Sequence, residues 1–215
     1  SEEHGKVACG SEQKYLGVLD GIDGTSVYKK DREHGRCGTL TGIFEGTDPA
    51  YNDYLVSGYM EHATGRMYIA TKGGGAYMIE HGVKTPIHAS QKREMEGKVQ
   101  IYIDEWFDIN KQTFTEKLGA FAPEDRPFCT NASCVYYADV ASGNADLALE
   151  CTRKGNLEIA ATYGLIHEAG GVTVGLDGKP IGEEKYLEFG QKGYIPVVTA
   201  ATPELAENLI AYIKH

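Results

Sequence analysis

The sequence predicts a mixed α/β fold whose first third is an antiparallel sheet. Three observations carry this prediction. Short apolar or alternating segments punctuated by Gly and Asp fill residues 14–82. Apolar residues at helical spacing then recur at 110–121, 131–150 and 156–171, with strand-like segments between and after them. No repeat, low-complexity stretch or linker divides the 215 residues, which suffice for one sizeable domain or two lobes sharing a core, here 1–97 and 98–215.

Taken in order, KYLGVLD (14–20) is an apolar strand ending at Asp20. Residues 38–46, 53–62 and 65–82 read as successive antiparallel strands, with turns at 64–65, 72–76 and 80–82. KVQIYID (98–104) is a further strand. Residues 110–121 place Phe114, Leu118 and Phe121 on one helical side, and 131–150 reads as a helix, a break at SGN, then a strand. The clearest helix is 156–171: Asn156 is a good N-cap, Ile159, Tyr163, Ile166 and Ala169 recur at helical spacing, and Gly170 suits the C′ position. A strand at GVTVGLD follows, then a buried strand at 194–201. The closing helix, 202–215, has Thr202 as cap and Pro203 at its first position.

The net charge is −10, which disfavours a nucleic acid polymer as partner, because phosphates would be repelled. No apolar run approaches the about 20 residues that span a bilayer, and no basic-then-apolar leader opens the chain. The five cysteines are odd in number and form no C-x-x-C, so they read as free thiols in a reducing cytoplasm. The histidines are scattered without zinc spacing, and KGGGA (72–76) lacks the G-K-[ST] of a P-loop. Trp106 and Phe107 read as core or interface residues.

The informative stretch is LDGIDGTSVY (19–28). Asp20 and Asp23 stand three apart among glycines, and two isolated carboxylates so close would repel. A Mg²⁺ ion removes that cost, since it takes hard oxygen ligands and keeps positions for water and phosphate. The Ile22 carbonyl lies between the two. Gly21 and Gly24 leave room for a phosphate, and a helix from residue 25 would aim the amides of Gly24 and Thr25 at it. Asp and Gly are also common turn residues, so a plain turn stays open on these ten residues alone. The D-x-D spacing of aspartyl-phosphate phosphatases does not match, and Ile22 occupies a position where an EF-hand needs oxygen.

DGIDGT resembles the D-P-[IL]-D-G-[TS] signature of the inositol monophosphatase and fructose-1,6-bisphosphatase superfamily. Other motifs resemble the family's in order and spacing: SEE at the start, GRMYIATKGGGAY, NASCVYYADVASGNADLALE and LEIAATYGLIHEAGG. The resemblance covers essentially the whole chain. It implies a layered αβαβα sandwich and hydrolysis of a phosphate monoester of a small polyol or sugar by a Mg²⁺-activated water. It further implies that Glu2, Asp20, the Ile22 carbonyl, Asp23 and Glu158 hold the metal, that Thr25 with Glu2 orients the water, and that the enzyme is a homodimer. Gly24, Thr25, Ser133 and Glu150 would line the substrate site. Arg153 could bind a second phosphate, which would favour a bisphosphate or a nucleotide such as phosphoadenosine phosphate.

The chain departs from the pattern at Gly21, Ala132, Leu157 and Glu158, where the family usually has Pro, Gly, Trp and Asp. Family members also carry two helices and a further acidic ligand ahead of the SEE position. A non-catalytic relative that binds a ligand or partner is therefore the alternative reading.

Overall fold

The structure, a computed structural model, describes residues 1, 3–104, 116–118, 132–152 and 157–214. Its first sheet is a meander of β1 (Tyr15–Asp23), β2 (Gly38–Glu45), β3 (Tyr54–Glu61), β4 (Met67–Thr71), β5 (Gly75–Glu80) and β6 (Val83–Pro86), each antiparallel to the next. A short helix, α1 (Thr25–Lys30), leaves the end of β1. The second sheet has the order β7-β8-β10-β9, from β7 (Ile101–Ile103), β8 (Leu147–Cys151), β9 (Val172–Gly175) and β10 (Pro196–Ala200). Its β7–β8 pair is parallel and the others are antiparallel.

Helices α2 (Ser133–Ala141) and α3 (Leu157–Glu168) lie between the sheets, and α4 (Pro203–Lys214) covers the far side of the second. This is the layered α+β sandwich that the motifs imply. The sequence patterns explain the layers. Along β2, Leu40, Gly42 and Phe44 are buried while Thr41, Ile43 and Glu45 are exposed, the alternation of a strand with one covered face. All ten residues of Leu157–Ile166 in α3 are buried, as a helix sandwiched between sheets requires. In α4 only one stripe is buried, formed by Leu205, Ala206, Leu209, Ile210 and Ile213. Thr202 caps α4, its hydroxyl accepting the Leu205 N–H at 3.2 Å.

One close approach sets the site. A Cβ on Gly42 would stand 2.9 Å from Val18 Cγ2 and 3.2 Å from the Ala161 Cα. Only glycine lets the α3 backbone settle this deeply onto β2 and β1. The opposite face of the same sheet leaves Leu19, Ile43, Met60 and Met67 exposed.

Three local expectations change. The strand expected at 98–104 is only Ile101–Ile103. Strand β6 had no counterpart in the sequence reading, because its four residues are all exposed and carry no alternating pattern. β1 does not stop at Asp20 but runs on to Asp23. The cap at Asn156, the helix at 110–121 apart from the turn Glu116–Leu118, and Trp106 and Phe107 lie outside the described residues.

Candidate active site

The site begins with an irregularity in β1. Asp20 pairs with Leu40 and Asp23 with Gly38, so three steps on β1 answer two on β2. This is a β-bulge with one extra residue. In a regular strand, residues three apart point to opposite faces. The extra residue cancels that, and both aspartates reach the covered side, 2% and 6% exposed. The pair is thus placed by a bulged strand rather than by the turn expected after Asp20.

Glu158 arrives from the first turn of α3, which lies across β1 and β2. One carboxylate oxygen from each of Asp20, Asp23 and Glu158 lies within 4.8 Å of the others. All three residues are buried, and three carboxylates gathered in a buried space repel unless a cation joins them. An all-oxygen, anionic donor set at this spacing fits a hard divalent ion such as Mg²⁺.

Ile22 sits in the bulge, and its N–H donates to Asp20 Oδ1 at 2.9 Å. Gly24 follows with φ 86°, the left-handed region, and leads directly into α1. A Cβ there would lie 2.4 Å from the Ala132 Cβ, so backbone angle and space both require glycine. Thr25 opens α1 and is exposed.

Ala132 delivers the start of α2 to Asp23. The Cys134 N–H donates to Asp23 Oδ2 at 2.7 Å, and the Ser133 hydroxyl lies 3.3 Å from the same oxygen. Asp23 therefore sits at the N-terminus of α2, where an anion is favoured. Burial, and then the Asp23 charge, push the Cys134 thiol well above its ordinary value. Burial, then Asp23 and Glu61, also raise the Cys37 thiol.

Glu150 is deeply buried on β8, and it accepts a hydrogen bond from the Tyr137 hydroxyl. Burial, followed by the charges of Glu150, Glu158 and Asp104, pushes the Tyr137 phenol well up. Burial and Glu158 push Tyr186 up to about 12. Glu150 and Glu158 thus face one electrostatic neighbourhood. Glu2 and Arg153 lie outside the described residues.

A supporting ion-pair cluster had no signal in the sequence. Arg36 donates through both terminal nitrogens to Asp139 of α2, at 2.8 and 2.9 Å, and through Nε to Glu61 of β3 at 2.6 Å. The Tyr102 hydroxyl adds a bond to Asp139 at 2.7 Å. The cluster ties α2 to the first sheet just beyond the Asp23 contact. Its members come from four separated segments, and no local spacing could reveal them.

Comparison with known proteins shows the family. The model of the inositol monophosphatase family matches residues 1–215. The chain belongs to the inositol monophosphatase family. Solved structures agree on the fold. The IMPase of Thermotoga maritima is 16% identical with a TM-score of 0.71, and the match covers 95% of this chain and 70% of that one. An inositol monophosphatase from Zymomonas mobilis is 18% identical with a TM-score of 0.70, covering 95% and 72%. A curated relative, the bifunctional NADP phosphatase/NAD kinase of Methanocaldococcus jannaschii, is 22% identical over 87% of this chain. The chain spans 36% of that protein's length. Within this member of the inositol monophosphatase family, no helix among the described residues is long and apolar enough to cross a membrane.

Proposed function

We propose that the chain is a Mg²⁺-dependent phosphatase that hydrolyses a phosphate monoester of a small polyol or sugar. The observation that carries this reading is the convergence of Asp20, Asp23 and Glu158, three buried carboxylates with oxygens within 4.8 Å of one another. These residues would hold the cation, with Glu2 and the Ile22 carbonyl as further ligands. Bound there, the cation supplies neutralising charge to the phosphoryl oxygens and acidity to water.

The chain's own groups do the rest. The Cys134 N–H at the α2 terminus holds the Asp23 carboxylate aimed. The tight passage at Gly24 leaves the amides of Gly24 and Thr25 for a phosphate, and the Thr25 hydroxyl with Glu2 orients the attacking water. Ser133 and Glu150 are assigned to the wall that recognises substrate hydroxyls, and the Tyr137 hydroxyl orients the Glu150 carboxylate. Arg153 is assigned to a second anionic group on the substrate. We further assign a homodimer in a reducing cytoplasm.

The curated relative favours a second reading, a phosphorylated nucleotide substrate, because its name includes an NADP phosphatase activity. One panel decides between them. Phosphate release is measured from inositol monophosphate, fructose 1,6-bisphosphate, phosphoadenosine phosphate and NADP, with Mg²⁺ or with a chelator. The expected result is Mg²⁺-dependent release from at least one ester, lost in Asp23→Asn. No release from any ester, or release unchanged in Asp23→Asn, overturns the proposal.

A further inference from the structure

The bulge that brings Asp20 and Asp23 together frees a backbone carbonyl, and the chain spends two side chains on it. Thr39 lies opposite the bulge, between the paired residues Gly38 and Leu40. Its hydroxyl donates to the Gly21 carbonyl at 2.9 Å. The same Oγ1 stands 2.9 Å from His62 Nε2. A hydroxyl has one hydrogen and a carbonyl can only accept, so the Thr39 hydrogen goes to Gly21 and the His62 Nε2 must carry the proton it donates. His62 is held in turn by its backbone N–H, which donates to the Cys37 carbonyl at 3.0 Å, and by the edge-on ring of Tyr28 from α1.

The carbonyl of Gly21 and the N–H of Ile22 belong to one peptide unit. That N–H donates to Asp20 Oδ1 at 2.9 Å. Because the peptide is planar and trans, its two polar ends point in opposite directions, and fixing one end fixes the other. The hydrogen bonds therefore run in one sense, from His62 to Thr39, from Thr39 to the Gly21–Ile22 peptide, and from that peptide to the Asp20 carboxylate. Each donor polarises the next, and the chain ends on an anion.

We infer that Thr39 and His62 are positioning residues for the cation site, acting through the Gly21–Ile22 peptide to aim the Asp20 carboxylate. The inference rests on the assignment of Asp20 as a cation ligand under the proposed function. Nothing in the motif marks these two residues: Thr39 is on the neighbouring strand, and His62 follows the end of β3.

The test is calorimetric titration of the purified chain with Mg²⁺ and with Mn²⁺, without substrate, alongside urea unfolding of the cation-free protein. Thr39→Val keeps the shape and drops the hydroxyl. It is expected to weaken cation binding about tenfold, the lower end of what loss of an outer hydrogen-bonding partner costs. Thr39→Ser restores the hydroxyl and is expected to restore the affinity. His62→Leu should weaken binding in the same direction, and in Thr39→Val it should add nothing, because the relay is already cut. Affinity unchanged in Thr39→Val, or lowered equally in Thr39→Ser and Thr39→Val, overturns the inference. Loss of unfolding stability with affinity intact assigns the pair a merely structural role and also overturns it. A wild-type chain that binds neither cation overturns the cation assignment itself, and that result is distinguished from failure of the relay by the wild-type titration alone.

Discussion

The Cys134 amide donates to the Asp23 carboxylate at 2.7 Å, joining residues 111 positions apart in the chain. This contact fastens the start of α2 to the end of β1 and gives Asp23 one fixed donor before any cation is present. It leads to a prediction with two opposite signs. Asp23→Asn keeps an oxygen for the Cys134 N–H and removes one of three crowded charges, so the cation-free protein should melt no lower than wild type. The rise in melting temperature that Mg²⁺ gives wild type should disappear. Thermal melts with Mg²⁺ and with chelator check both; a large loss of cation-free stability would contradict the account.

Gly24 should tolerate no side chain. Gly24→Ala combines left-handed backbone strain of about 1–2 kcal/mol with overpacking against Ala132 of about 1–3 kcal/mol. Adding Ala132→Gly should recover the packing part and leave the backbone part. Urea midpoints of the single and double variants measure this; full recovery would show that φ is not the constraint.

The Arg36 cluster should matter for stability. Arg36→Met leaves the Asp139 and Glu61 carboxylates buried without their shared cation, and loss of one partner from a buried pair costs about 3–5 kcal/mol. Because the Arg36 side chain keeps 31% exposure, the lower end is expected. Arg36→Lys should recover only part, since it cannot make the two parallel bonds to Asp139. Chemical unfolding checks both variants.

Glu168, at the end of α3, should shape the acid limb of stability. Burial alone would raise its pKa. The Tyr54 hydroxyl and the amides of Gly73 and Gly75, at 2.7–2.8 Å, outweigh burial and hold it below its ordinary 4.5. A lowered folded pKa means stability that is present above pH 4.5 and is lost as pH falls through the folded value. Glu168→Gln should therefore be less stable at pH 7, and its deficit should shrink below pH 4.5. Unfolding midpoints across pH 3–7, about the carboxylate range, test the sign.

The layers were legible because their patterns are local. Alternation marked β2, helical spacing marked α3, and Thr202-Pro203 marked the start of α4. The Asp20–Asp23 spacing was also visible, but its meaning was not. An offset of three looks like a turn until the ladder shows that β1 carries an extra residue there. The burial of Glu150 was not visible, because the Tyr137 hydroxyl that buries with it comes from another element. Thr39, His62 and Arg36 were silent for the same reason: each acts across segments that meet only after the sheets and helices have packed. What local pattern cannot carry is the supporting layer around the charged site.

The most direct test of the central claim is anomalous diffraction from crystals of the chain grown with Mn²⁺. The account predicts strong anomalous density bounded by the carboxylates of Asp20, Asp23 and Glu158, and its loss in Asp23→Asn crystals. Density at another site, or none between these three side chains, would contradict it.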